Sequence, residues 1–371
     1  MMGGHLKKRH NSLGRAVGIC SGLAALAAGA LGLVGCAQSQ PQTGVVQAAE
    51  RQLDPVAAPG PLPVSPAAGP LSQPQAQPQP QPASQPQLRT VATLPWGAQA
   101  RQLGRVLGGE QNPEGPMSLD ADAAGQVWLL DQVNQRLVRL GRQGQWHQIA
   151  APRTAQELAI DDQGQPWVLD RLVGKQLLRL DAQSGAQLQH ISLQAPDQEP
   201  WLITALQIHG GGLYAEYEHS ELRRLTGSGA SVLQGRPTRD QQWLLKALRV
   251  PPDRVAVAGR AAGEAADAAP GLAIQTQFDK PVAQLVELAA VEAQRIWLVA
   301  DLVQLDPEGR PSARYRQAVV LDSAGTVVLR RDLCAPYGPE EQLRSARLGR
   351  DGHLYNLCLG ATGATIEEVL P

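Results

Sequence analysis

The stretch SLDADAAGQVWLLD (118–131) returns 39 residues later as ELAIDDQGQPWVLD (157–170), with seven of fourteen positions identical. A repeat of this period constrains the fold more than any local propensity, because each copy is a supersecondary unit that cannot bury its own apolar faces alone. Each copy runs on into a further apolar strand, QRLVRL (135–140) and KQLLRL (175–180), and then into a glycine-bearing turn. Weaker echoes follow at GGLYAEY (211–217), DRVAVAG (253–259), QRIWLVAD (294–301) and DGHLYNLC (351–358). The hydrophobic pivots of the six units, Trp128, Trp167, Tyr214, Val255, Trp297 and Tyr355, lie 39, 47, 41, 42 and 58 residues apart.

Each unit reads as short alternating strands joined by Asp-Gly or Gly turns. A four-stranded sheet with two apolar faces has to be stacked between neighbours, and radial stacking closes the ring and protects the strand edges. The expectation is an all-β fold over residues 88–371: a six-bladed β-propeller of four-stranded blades. A parallel sheet would need helical patterns between the strands, and the segments here are too short for that. LRTVATLPW (88–96) is an isolated strand, and the last unit, ARLGRDGHLYNLCLGATGATIEEVLP, holds only three. Residues 89–94 are therefore expected to supply its fourth strand and latch the ring. In the fourth unit (242–282), GRAAGEAADAAPG (259–271) is expected to be a loop.

The segment NPEGPMSLDADAAGQVWLLDQVNQRLVRLGRQG (112–144) resembles NHL-type propellers: a Pro, an Asp-x-x-Gly turn, an aromatic strand, Asp, then Asn-x-Arg before a second strand. The resemblance covers two blades well and the others loosely. It implies a fold and not a task, since that family includes protein binders, RNA binders and enzymes.

Before the repeat, HLKKRHNSLGR (5–15) is basic and AVGICSGLAALAAGALGLVG (16–35) carries no charge. A positive start, an apolar middle and a small residue before a break describe a secretory signal. Leu33-Val34-Gly35-Cys36 resembles the bacterial lipobox, which implies cleavage before Cys36 and a lipid on its thiol. By the same resemblance, Ala37 implies an outer-membrane address. An uncleaved membrane anchor and ordinary secretion are the alternatives. Residues 36–87 then turn to Gln, Pro, Ala and Ser, as in SQPQAQPQPQPASQPQ (72–87). Such a composition buries too little apolar surface to offset its ordering entropy, so a disordered tether is expected.

Candidate chemistry in the repeat region is sparse. Asp120, Asp122 and Asp131, with Gly125 between them, have the outline of a calcium loop, but Ala124 stands where a further oxygen is wanted. The second unit keeps Asp161 and Asp170 and has Ala159 and Gln163, so aspartates capping hairpin turns explain both units better. HGGG (209–212) occurs without a Gly-x-Ser-x-Gly partner and reads as a tight turn. His147, His190, His209, His219 and His353 lack the paired spacing of a zinc site. No catalytic set and no cofactor is assigned. With Cys20 in the signal and Cys36 acylated, Cys334 and Cys358 remain, either as a disulfide or as two buried thiols. A formal net charge of −1 argues against a nucleic-acid partner.

The sequence thus favours a lipid-anchored, non-catalytic binding or scaffold module in the bacterial cell envelope, with an envelope protein or a glycan as partner. The alternative is a propeller enzyme, a lactonase-like hydrolase or a lyase, with its site in the central channel. A component of an envelope assembly, resembling the propeller lipoproteins that help insert outer-membrane proteins, is a third reading.

Overall fold

The computed structural model describes residues 87–108, 112–194, 199–219, 221–227, 230–265, 268–335 and 340–370. The expected signal segment, Cys36 and the expected tether up to residue 86 lie outside the described residues.

The chain enters on β1 (Leu88–Pro95) and builds the first blade from β2 (Ser118–Ala121), β3 (Val127–Asp131), β4 (Arg136–Leu140) and β5 (Trp146–Ala150). The second blade is β6 (Glu157–Ile160), β7 (Pro166–Asp170), β8 (Gln176–Leu180) and β9 (Gln187–Ser192). A single helical turn, Pro200–Leu202, leads to the third: β10 (Ile203–His209), β11 (Gly212–Tyr217), β12 (Glu221–Thr226) and β13 (Val232–Gln234). The fourth is β14 (Arg236–Pro237), β15 (Trp243–Val250), β16 (Arg254–Ala261) and β17 (Leu272–Gln277). The fifth is β18 (Val282–Ala290), β19 (Ile296–Leu305), β20 (Pro311–Leu321) and β21 (Val327–Leu333). The sixth combines β22 (Ala346–Leu348), β23 (Leu354–Leu359) and β24 (Gly363–Val369) with β1.

Pairing within each blade is antiparallel, giving six four-stranded sheets and the expected six-bladed propeller. β1 runs beside β24 from Leu88↔Val369 to Pro95↔Gly363, so the first strand of the fold completes the last blade. The two backbones approach closely there: a Cβ on Gly363 would strike the Leu94 carbonyl. Burial follows position in the blade. β3 and β7 are buried at every residue because neighbouring blades cover both faces, while the outer β9 is almost wholly exposed.

Three of the hairpin turns use one device. Asp122 Oδ1 accepts from the amides of Ala124 and Gln126, Asp161 Oδ1 from Gln163 and Gln165, and Asp322 Oδ1 from Ala324 and Thr326, each bond 2.8–2.9 Å. The side chain replaces ladder partners that the turn removes.

Among the described residues, five clusters of buried apolar side chains fill five seams between blades. Trp128 lies in the seam between blades 1 and 2, Trp167 between 2 and 3, Trp297 between 5 and 6, and Tyr355 between 6 and 1. Val255 lies in the cluster between blades 4 and 5. It does not occupy the place of the other pivots, however. They sit on the second strand of their blades, whereas Val255 is on β16, the third, and the second is β15. Most of β15 is partly or fully exposed, so its hydropathy pattern is blurred, and the more regular β16 carries the apparent echo. The loop of this blade starts after Ala261, since 259–261 belong to β16.

Candidate functional site

The innermost strands of the six blades, β2, β6, β10, β14, β18 and β22, surround the axis. They bring charge to where the ring is narrowest. Arg236 on β14 grips Glu216 of β11 with two bonds, Nε to Oε1 at 2.7 Å and Nη2 to Oε2 at 3.1 Å. Its Nη1 donates to Glu287 Oε1 of β18 and to the Leu288 carbonyl, both at 3.1 Å. Arg344, just before β22, lies 3.7 Å from Glu287 Oε2 and 3.2 Å from Glu157 Oε1 of β6. Arg347 of β22 lies 3.2 Å from Asp120 Oδ1 of β2 and donates to the Leu206 carbonyl of β10 at 3.3 Å. Asp120 Oδ2 accepts from the Ile160 amide of β6 at 2.8 Å. Every blade is therefore tied to the ring, and the four carboxyls are all buried.

Four carboxyls face three guanidiniums in this set, and low-dielectric surroundings make the surplus negative charge costly. Burial accordingly raises the Glu157 carboxyl well above its ordinary value, with Arg347 opposing and Asp120 and Glu287 adding to the rise. Burial also pushes Glu287 up to about 7, against the pull of Arg236 and Arg347. Neither Glu157 oxygen has a hydrogen-bond partner in the structure, and nor do Glu287 Oε2 and Arg344 Nη1. A proton held on Glu157 or Glu287 balances the set.

Over the ring lies a cavity of about 460 Å³. Its floor includes Asp120, Glu287, Arg236 and Arg347, and its rim is made by the turns that follow the innermost strands. The β10–β11 turn contributes His209, Gly210 and Gly211; the two glycines have φ of 56° and 73°, the left-handed pair that a two-residue hairpin loop requires. HGGG is thus a tight turn, as expected, and it also forms part of the rim. Burial lowers the pKa of His209. Across the mouth, Arg239 donates to the carbonyls of Gly349 and Arg350, while Arg350 donates to the Ile160 carbonyl at 3.0 Å and pairs with Asp162.

The three aspartates of the calcium outline go separate ways. Asp120 belongs to the ring, Asp122 caps its turn, and Asp131 accepts from the Gly104 amide, Asn134 and Arg136 at 2.8–2.9 Å. The Asp…Asn-x-Arg part of the NHL-like motif is therefore a bracing network. Among the described residues, one set of three metal-type ligands comes together: Asp351, His353 and Glu368. A guanidinium already occupies the place a cation would take. Arg142 Nη2 donates to Asp351 at 2.6 Å and lies 3.5 Å from Glu368, which Arg89 of β1 also pairs. The Tyr355 hydroxyl donates to Asp351 at 2.7 Å, and its pKa is raised, chiefly by burial. This cluster braces the ring closure. Cys334 and Cys358 are paired as a disulfide with α-carbons 5.8 Å apart, linking the end of β21 to β23.

Glu157, Glu216, Glu287, Arg236, Arg344 and Arg347 were not singled out by sequence reasoning. A partial signal exists. The residue paired with each pivot across the first hairpin lies seven or eight positions before it: Asp120, Ala159, Gln207, Ala289 and Arg347. A charge at that place, or two residues earlier as at Glu157 and Glu287, sits in an otherwise apolar strand.

No family model and no curated protein matches the chain. Among solved structures, similarity extends to a streptogramin B lyase (12% identity, TM-score 0.41, covering 76% of this chain and 97% of that one). It also extends to a DUF4221 family member from Bacteroides vulgatus (11%, 0.44, 76% and 97%) and to a putative gluconolactonase (14%, 0.39, 78% and 93%). Likeness at this level carries no argument about activity. The propeller is read from the strand pairing itself.

Proposed function

We propose that this protein is a lipid-anchored binding module of the bacterial cell envelope, presenting the axial cavity at the end of a tether. The observation that carries the reading is the cavity over the ion-pair ring: its charged walls are held by partners from all six blades, so the surface is fixed before a ligand arrives. Preorganised polar groups in a concave site favour recognition, because little ordering remains to be done on binding. The lipobox-like Leu33–Cys36 and the Pro/Gln-rich segment supply the anchor and the spacer. Two acyl chains suffice for stable anchoring by the hydrophobic effect.

Mass spectrometry of the mature N-terminal peptide tests the anchor: a diacylglyceryl group on Cys36 is expected, and its absence, or an intact residue 1–35 segment, removes this part. Affinity purification from envelopes solubilised in mild detergent tests the binding role. A partner or ligand retained by the protein and lost on filling the cavity with Ala123→Trp supports it; identical recovery with and without the substitution counts against the cavity.

One observation favours a second reading. Glu287, whose carboxyl titrates near neutrality, lines a cavity, as a general acid–base of a hydrolase or lyase would. That reading requires turnover, for example of a lactone, that Glu287→Gln abolishes while the fold survives.

A further inference from the structure

One arginine of the cavity has no carboxylate opposite it. Of the four arginines lining it, Arg236 faces Glu216 and Glu287, Arg347 faces Asp120, and Arg350 faces Asp162. Arg239 has no carboxylate within ion-pair distance among the described residues. Its guanidinium is instead oriented by main-chain carbonyls of Gly349 and, at 2.8 Å, Arg350. Carbonyls fix its direction without neutralising it. Loss of solvent around the head group, and then the charge of Arg350, lower its pKa, so two like charges converge on one rim.

The guanidinium without a carboxylate is a single one, which decides the class of ligand. A dianion brought to Arg239 and Arg350 would also meet Asp162, Asp120 and Glu287, whereas a monoanion gives Arg239 the one partner it lacks. A planar carboxylate suits guanidinium donors fixed in direction. Part of the remaining wall is apolar: Pro237, Leu288, Ala289, Ala290 and Leu348 line the cavity beside the arginines. At about 460 Å³ the space exceeds what a bare carboxylate fills.

We propose that the cavity binds a small monocarboxylate with an apolar tail, the carboxylate held by Arg239 and Arg350 and the tail against Pro237 and Leu288–Ala290. The proposal rests on the binding-module reading and specifies its ligand.

Isothermal titration of the full-length protein in mild detergent, at low ionic strength, with hexanoate, acetate and inorganic phosphate tests it. Hexanoate is expected to bind more tightly than acetate, through the tail, and phosphate most weakly. Arg239→Gln is expected to weaken hexanoate about tenfold or more, in line with loss of a charge-assisted bond. Arg239→Lys, which keeps the charge, recovers part of the affinity. Arg350→Gln has a smaller effect, because Asp162 already offsets that charge. Circular dichroism reports whether each variant folds. If Arg239→Gln does not, Arg350→Gln and the weakening of hexanoate by added salt decide between binding at the arginines and none. Unchanged hexanoate affinity in the folded Arg239→Gln variant, phosphate binding tighter than hexanoate, or no hexanoate binding at millimolar concentration would each overturn the proposal. If capture from solubilised envelopes still depends on the cavity in that event, the ligand class falls and the binding module stands.

Discussion

Between the first and second blades, Trp128, Leu130 and Ile149 meet Leu158, Ile160 and Val168 in a wall of buried hydrocarbon. Between the third and fourth blades, Arg236 reaches back to Glu216, and Gly235 alone separates β13 from β14. None of the five apolar clusters among the described residues spans that second seam. The cavity opens beside it, with β10 residues and the β14 turn among its walls. The contrast explains where a site forms in a ring of similar parts. Hydrocarbon stabilises a seam without direction and leaves no room, whereas an ion pair stabilises it only through groups that also present charge to the axis. The faithful repeats close the ring, and the divergent pair opens it.

The contrast is exposed to direct attack. Trp128→Ala should cost about 4 kcal/mol, as removal of a large buried side chain does, and denaturant unfolding should show the same loss at pH 5 and pH 8. Arg236→Met leaves Glu216 and Glu287 buried without their partner and should cost about 3 kcal/mol at pH 8. The loss should shrink at pH 5, where Glu287, pushed up to about 7 by burial, takes up a proton. A pH-independent loss would mean that the seam between the third and fourth blades is held by something other than charge.

A third seam lies between these extremes. Cys334 and Cys358 reinforce the join of blades 5 and 6, which hydrocarbon already fills. Closing a loop of sequence separation 24 stabilises by about 3 kcal/mol in the chain-entropy account. Paired serine substitutions should therefore cost that much, and an unreactive thiol pair on alkylation under denaturing, non-reducing conditions should accompany the wild type. Gly235→Ala is expected to cost about 2 kcal/mol, since φ of 127° disfavours a side chain and its Cβ would lie 2.9 Å from the Leu245 carbonyl. A neutral effect would show that the polar seam yields more easily than its geometry implies.

The last effect is a slope. Because the folded protein holds the Glu287 carboxyl up to about 7, against 4.5 for the free group, the folded state binds this proton more tightly than the unfolded one. The stabilising contribution is complete below about pH 4.5 and is lost as pH rises through 7. Over that window the wild type should lose stability relative to Glu287→Gln as pH rises. Equal slopes in unfolding titrations would place the proton elsewhere.

How far the sequence reached is clear at particular residues. SLDADAAGQVWLLD and its copy were enough to predict strands, turns and blades, since period-two hydropathy and Asp-x-x-Gly act over a few residues. The β1 latch was legible because a three-stranded last unit needs one more edge partner. Val255 misled because in the fourth blade the half-exposed β15 has lost the pattern that marks a second strand. Asp120 drew attention for a calcium-like spacing and turned out to matter through Arg347, 227 positions away in the chain.

Local pattern therefore determined that this chain forms blades, how many, and how the ring closes, because burial of alternating side chains is decided among near neighbours. Only the assembled ring decided which charges meet. Glu157, Glu216, Glu287, Arg236, Arg344 and Arg347 come from five different blades, and an ion pair depends on distance in space and on the solvent removed around it. Neither quantity exists until the sixth blade has closed on the first.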